Sequence, residues 1–256
     1  MTINNRNIHA VILAAGQGKR MKSDLPKVLH HVSGKPMIEQ VLESAKKAGI
    51  SDITVVVGFR KEKVEEIVKK WVSSNSEITI NFAFQEEQNG TGHAIMCAKE
   101  FLPNENSDIL VLLGDVPFIT PETISDSIKQ LNDESASMLI MSMKPADPSG
   151  YGRIIRDNNG LVKKICEDKD ATDEEKAVTE VNTGTFVYRA EDLWSSLSKI
   201  NCDNAQAEYY LTDTAAVLVS ENKKVIAKIS QDAFEFTGIN SQEQLKEIEE
   251  KMAAIQ

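Results

Sequence analysis

The chain is poor in cysteine and in positive charge, and it has no long apolar run. Its three cysteines, Cys97, Cys166 and Cys202, stand far apart with no CxxC pair among 256 residues. That spacing argues against a disulfide framework or a thiolate metal site and suits a reducing compartment. No stretch approaches the ~18 consecutive apolar residues of a membrane span. Residues 1–9 are polar and lack the apolar segment of a signal peptide. A cytoplasmic location without a membrane partner is therefore expected. Lys and Arg total 29 against 39 Asp and Glu, a net charge of −10. A surface this acidic binds nucleic acid poorly, so no nucleic-acid partner is expected. It can still hold phosphates where its few cations are concentrated. There is no Pro/Gly-rich linker, internal repeat or low-complexity tract, and the 41% hydrophobic and 27% charged content is ordinary for a globular chain.

What is present is an alternation of periods. Residues 10–14 and 53–57 are apolar, β-branched runs that read as strands buried on both faces. Residues 78–84 and 109–113 give two more. Between them, residues 37–48 place Met37, Val41, Leu42, Ala45 and Ala48 on one helical face, Val64, Ile67, Val68 and Trp71 mark a second helix, and residues 92–101 a third. Strand–helix alternation implies βαβ units with right-handed crossovers. After a strand at 138–143 the pattern changes: strands at 152–156 and 161–166 flank the turn Asp157-Asn-Asn-Gly160, and 178–188 reads as another strand. Residues 170–176 read as an exposed polar loop. Helices follow at 191–200 and 208–220, a strand at 225–229, and a final helix from about Ser241 with the stripe Leu245, Ile248 and Met252. Met138, Met141 and Met143 read as core. The expected fold is α/β: a Rossmann-like, mostly parallel central sheet with helices on both faces and an added β-rich sub-region. A single domain over 1–256 is expected, with parts at about 8–135, 136–230 and 236–256.

In such sheets ligands bind beyond the C-terminal strand ends. The first strand runs into Ala14-Ala-Gly-Gln-Gly-Lys-Arg-Met21 and then Pro26-Lys27. Gly16 and Gly18 allow a tight turn that points N–H groups at an anion. Lys19, Arg20, Lys22 and Lys27 gather the positive charge that a polyphosphate needs. A dinucleotide fingerprint is excluded because Met21 stands where its third glycine belongs, and no P-loop string exists. From these residues alone, a solvated loop with two turn glycines fits equally well. Asp115, in Leu113-Gly114-Asp115-Val-Pro117, sits at a strand tip, where a carboxylate is either a Mg²⁺ ligand or a turn residue.

The string Leu-Ala-Ala-Gly-Gln-Gly-Lys-Arg-Met-Lys-Ser-Asp-Leu-Pro-Lys-Val-Leu-His, residues 13–30, resembles the signature of the sugar-1-phosphate nucleotidylyltransferases. It is most similar to that of the bacterial N-acetylglucosamine-1-phosphate uridylyltransferases. Lys19 departs from the family's usual Thr or Ser. The segment Gln85-Glu-Glu-Gln-Asn-Gly-Thr-Gly-His-Ala94 resembles the family's base-reading loop, so Gln85 and Gln88 would address uracil with Gly90 and Thr91 beside them. An amide can both donate to O4 and accept from N3–H. Read without the resemblance, this is a glycine-rich turn capped by Thr91. Asn240, in Thr237-Gly-Ile-Asn240, matches a second metal ligand; otherwise it reads as a helix cap. Gly150-Tyr-Gly152-Arg-Ile154, Glu167 and Asn182-Thr-Gly184 match the positions that hold the acetamido sugar. The segment from Asn204 to Asp213 also resembles the family, with Ala207 where glycine is usual.

The resemblance covers about residues 8–243. It implies transfer of UMP from UTP to N-acetylglucosamine 1-phosphate, giving the UDP-sugar used in cell-wall peptidoglycan synthesis and releasing pyrophosphate. Arg20 and Lys27 would be the catalytic cations, with Mg²⁺ as cofactor on Asp115 and Asn240. Leu13, Ala14, Ala15, Gly16, Gly18, Gln85, Gln88, Gly90, Thr91, Gly114, Gly152, Glu167 and Asn182 would line the substrates. Alternatives remain open: another sugar 1-phosphate or base, or a non-catalytic nucleotide-sugar sensor. Relatives commonly carry a β-helix acetyltransferase that forms trimers. No hexapeptide repeat is present here, so neither acetyl transfer nor a trimer is expected, and a monomer or weak dimer is.

Overall fold

The computed structural model describes residues 6–253. Its strands begin with β1, Asn7–Ala14. A small hairpin follows, β2 (His31–Val32) and β3 (Lys35–Pro36), then α1, Met37–Lys47. Next come β4 (Asp52–Val57), α2 (Lys61–Ser73), β5 (Thr79–Phe84), α3 (Thr91–Cys97), β6 (Ser107–Leu113) and α4 (Pro121–Asp133). The second half holds β7 (Met138–Met143), β8 (Arg153–Arg156), β9 (Val162–Cys166), α5 (Asp173–Lys176) and β10 (Val181–Arg189). It ends with α6 (Ala190–Leu197), α7 (Asp213–Ser220), β11 (Val225–Ile229) and α8 (Gln242–Ala253).

The main sheet runs β11-β7-β10-β6-β1-β4-β5, with the β8–β9 hairpin attached to β10. β1 pairs in parallel with β4 and β6, and β11 in parallel with β7. β10 runs antiparallel to its neighbours β6 and β7, and the β8–β9 hairpin is antiparallel as well. The alternation of side chains along a strand divides the core into two layers. Ala10, Ile12 and Ala14 of β1 face a cluster that includes Val41 and Leu42 of α1, Val64 and Val68 of α2 and Ile124 of α4. Val11 and Ala15 face the opposite cluster, with Ile95 of α3, Leu193 of α6 and Leu218 of α7. A strand covered on both faces is apolar along most of its length, which is why β1, β4 and β6 carry nearly continuous apolar runs; the buried Thr54 of β4 is satisfied by His9 Nε2 of β1 at 2.9 Å. Met138, Met141 and Met143 are buried in these layers as expected. Leu245, Ile248 and Met252 of α8 pack on Val32, Met37 and Ile239. Among the described residues no helix is long and apolar enough to cross a membrane.

Two expectations need correction. Residues 170–176 are not simply an exposed loop: Thr172 and Glu175 form a reciprocal capping box that starts α5, and Ala171 is buried. The helix expected over 208–220 begins only at Asp213. Residues 208–211 instead run along the loop that follows β5, with the Tyr209 N–H donating to the Asn89 carbonyl at 2.8 Å and the Gly92 N–H to the Tyr209 carbonyl at 2.8 Å. The Tyr209 carbonyl would otherwise have accepted a bond within the first turns of the helix, and here it is taken by Gly92.

Candidate active site

The C-terminal ends of β1 and β6, which pair through Leu13 and Leu113, open onto two cavities. The first, of about 240 Å³, is lined by Leu13, Ala15, Gly16, Gln85, Gln88, Gly90, Thr91, Ala94 and Glu208. The second, of about 350 Å³, is lined by Arg20, Leu113, Asp115, Val116, Ser149, Gly150, Tyr151, Gly152, Glu167, Asn182, Thr183, Gly184, Phe236, Gly238, Asn240 and Gln244. Most of the sequence-predicted residues thus separate into two groups at neighbouring strand ends, whereas Gly18, Lys27 and Gly114 are in the lining of neither cavity. Ala14 is buried in the core beneath them.

Beyond Ala15 the chain turns at Gly18, φ +64°, into a short 3-10 turn at Lys19–Met21. A Cβ on Gly18 would stand 2.6 Å from the Cβ of Lys27, so glycine is what lets the lysine stem pass. Around Gly16 nothing lies within 4 Å of such a Cβ, leaving its backbone accessible. Gly114 fits tightly, its N–H donating to the Leu13 carbonyl at 3.0 Å. A Cβ there would come 3.0 Å from Val28.

Lys27 is the meeting point. Its ammonium is ion-paired with the Asp115 carboxylate and donates to Asn240 Oδ1 at 2.5 Å. The two side chains come from distant segments that are tied by the Ile239 N–H donating to the Asp115 carbonyl at 3.1 Å. Asn240 is not a helix cap; the Ser241 hydroxyl accepts from the Gln244 N–H at the start of α8. A carboxylate and an amide oxygen therefore aim at one cationic point. Hard oxygen donors of this kind suit Mg²⁺, and with only two from the protein the remaining positions fall to phosphates and water. The residues fit the ion.

In the first cavity Gln85 is 4% exposed. Its amide nitrogen donates to the Gly90 carbonyl at 3.0 Å and lies 3.2 Å from His93 Nδ1. Gln88 donates to the Ala15 carbonyl at 2.8 Å. The Thr91 hydroxyl does not cap α3: Gly90 holds that position, and the hydroxyl accepts from the Leu211 N–H at 3.1 Å. Gly90, φ +100°, must be glycine because a Cβ would meet the Tyr209 carbonyl at 2.6 Å.

In the second cavity Glu167 accepts from the Thr212 hydroxyl at 2.7 Å. Burial, and the charges of Asp213, Asp170 and Asp168, raise its pKa above the ordinary carboxylate range, while the Thr212 bond works the other way. Asn182 Oδ1 accepts from the Gly184 N–H at 3.0 Å, which fixes the amide. Tyr151 has a raised pKa from burial and from Asp115. Ser149, Glu208, Phe236 and Gln244 line the cavities without having been singled out from sequence. Gln244 carried a signal that was not used, one helical turn after Asn240, where its Oε1 accepts from the Asn240 N–H at 2.8 Å. Lys19 is exposed on the 3-10 turn, and Ala207 adopts φ +52°, the left-handed backbone that its usual glycine would take without strain.

Residues 9–240 match the nucleotidyl transferase family. The bifunctional protein GlmU of Clostridium novyi (strain NT) is 46% identical over 241 residues, covering 94% of this chain and 51% of its own length. That of Acetivibrio thermocellus is 44% identical over 238 residues, covering 93% of this chain and 50% of its own. The chain thus spans about half the length of these relatives. A solved UDP-glucose pyrophosphorylase complexed with UDP-glucose superposes with a TM-score of 0.78 at 20% identity, covering 98% of this chain and 100% of that one, a likeness of fold. With a family match across most of its length and the motif residues gathered near the C-terminal ends of β1 and β6, the chain belongs to the nucleotidyl transferase family.

Proposed function

We propose that the chain transfers UMP from UTP to N-acetylglucosamine 1-phosphate, releasing pyrophosphate, with Mg²⁺ as its cofactor. The observation that carries this reading is the convergence of Lys27, Asp115 and Asn240 at the rim of a cavity that Arg20 also lines, beside a second, base-sized cavity. Two anionic substrates need two compartments and a cationic junction between them. The motif resemblance supports UTP and the acetamido sugar as their occupants. The free thiols Cys97, Cys166 and Cys202 suit work in the cytoplasm.

The nucleophile is a phosphate oxygen of the sugar, already anionic, so no general base is required. That oxygen forms a bond to the α-phosphorus while the bond to the bridging oxygen breaks, and the electron pair leaves with pyrophosphate. The protein must align two anions that repel each other and stabilise the charge that moves. Lys27 neutralises phosphate oxygens at the junction. The loop at 15–21, with Arg20, holds the departing phosphates. Glu167 and Asn182 orient the sugar through its hydroxyl and acetamido groups. A divalent cation held by Asp115 and Asn240 would supply further positive charge to the phosphate oxygens.

Pyrophosphate release measured over a panel of sugar 1-phosphates and nucleotides tests the assignment. The expected result is turnover with UTP and N-acetylglucosamine 1-phosphate that depends on Mg²⁺. No release with any sugar phosphate would refute it, and equal turnover with CTP would refute the base assignment.

A further inference from the structure

Gln85 is buried at the end of β5, its own N–H tied to the Val57 carbonyl at 2.9 Å. Its side-chain nitrogen carries two protons, and two acceptors stand within reach: the Gly90 carbonyl at 3.0 Å and His93 Nδ1 at 3.2 Å. A carbonyl can only accept, so Gly90 fixes which end of the amide is the nitrogen. The second proton then requires His93 Nδ1 to be an acceptor, which places the imidazole proton on Nε2. That atom lies 3.6 Å from Cys97 Sγ, one turn further along α3. Burial raises the Cys97 pKa and keeps it a thiol whose sulfur can accept. Donation therefore runs in one direction, from the Gln85 amide to His93 Nδ1 and from His93 Nε2 to the Cys97 sulfur.

We infer that His93 is a positioning residue for base selection. By taking the last amide proton of Gln85 it leaves that side chain only an oxygen to offer to a base. An oxygen acceptor matches an imide N–H, as in uracil, and meets a lone pair at N3 of cytosine. Selection against the amino-pyrimidine then comes from a buried acceptor left facing an acceptor, the kind of mismatch that binding sites reject strongly. The inference rests on the proposed reading of the first cavity as the base site. It alters the sequence-based expectation for Gln85, which would both donate and accept; donation to O4 falls to other groups, and Gln88 has one amide proton uncommitted to Ala15.

The experiment uses the full chain and compares kcat/KM for UTP and CTP. His93→Leu frees one proton of Gln85 and lets the amide present a donor. The UTP-over-CTP preference is expected to fall by about 10-fold or more, the effect of one buried polar group gaining or losing its partner. The loss should lie in the KM for UTP rather than in kcat. His93→Asn, whose Oδ1 can accept in place of Nδ1, is expected to restore the preference. Circular dichroism and thermal melting confirm that both variants are folded; if His93→Leu does not fold, His93→Phe, which likewise offers the amide no nitrogen or oxygen acceptor, is scored on the same ratio with the same expectation. Unchanged discrimination in folded His93→Leu overturns the inference, as does equal loss in His93→Asn. A parent chain that turns over UTP and CTP equally overturns the base assignment itself, a separate outcome visible before any variant is made.

Discussion

Gly18→Ala probes whether the loop after β1 exists to place Lys27. The backbone there has φ +64°, and a side chain in that region costs about 1–2 kcal/mol. The new methyl would also stand 2.6 Å from the Lys27 Cβ, whereas carbon atoms settle at about 3.5–4.0 Å. Lys27 must therefore be displaced by roughly 1 Å at the root of its side chain, a misplacement that can lower a rate on the order of 10²-fold. Removing the ammonium altogether in Lys27→Ala should lower kcat/KM by about 10²–10³-fold, so the two variants should be comparably impaired. The melting temperature of Gly18→Ala should fall by about 3–8 °C at this chain length. Gly16→Ala is the matched control: its Cβ meets nothing within 4 Å, so its melting temperature should stay at the parent value. Its KM for UTP should rise, because the methyl occupies space left for phosphates. Initial rates of pyrophosphate release with a melting curve for each variant decide the matter. A Gly18→Ala protein that melts lower yet turns over as fast as the parent would refute the link between the loop and Lys27.

Asp115→Ala should lose most activity at ordinary Mg²⁺ and recover only in part when the ion is raised; an unchanged half-saturating concentration and rate would make Asp115 a structural partner of Lys27 only. Glu167→Gln should melt higher than the parent near pH 8 and equally below about pH 4, because burial raises the carboxyl pKa, so the parent loses stability as pH rises through that value. The same variant should show a raised KM for the sugar phosphate, and a parent that melts higher at alkaline pH would show the sign to be wrong. Ala207→Gly relieves the left-handed backbone at φ +52° and should raise stability by about 0.5–1 kcal/mol, read as a higher urea midpoint; a lower midpoint would mean that the methyl packs usefully.

Much of this architecture was legible because the strands that build it are buried on both faces. Residues in β1, β4 and β6 are mostly enclosed by apolar neighbours on both faces, so their apolar runs stand out in any window. The junction was legible for a different reason: Gly16, Gly18, Arg20 and Lys27 lie within a dozen residues, and their charge is conspicuous in a chain of net −10. The direction of β10 was not legible. Its residues satisfy a parallel or an antiparallel neighbour equally well, and only the return through the β8–β9 hairpin sets it against β6 and β7. The start of α5 was hidden by its length, since four residues show no period; its capping box of Thr172 and Glu175 was the available signal.

The segment at 208–212 was misread because its conformation is decided 120 residues earlier. Its composition favours a helix continuous with α7. What prevents it is the loop before α3, where Gly90 and Gly92 leave room for the Tyr209 carbonyl and the Thr91 hydroxyl waits for the Leu211 N–H. Read from sequence, Gly90 and Thr91 belong to the base-reading loop or to a glycine-rich turn, and neither reading involves residues 208–211. Together Gly90, Thr91 and Gly92 form a receptor for the segment at 208–211, and that segment leads on to place the Thr212 hydroxyl on Glu167 at 2.7 Å. One stretch of backbone therefore touches the proposed base loop at one end and the proposed sugar carboxylate at the other. A change in Gly90 or Thr91 should consequently disturb the second cavity as well as the first. Such a dependence cannot be found by reading residues in the order of the chain, because neither end of it has a pattern until the other is in place.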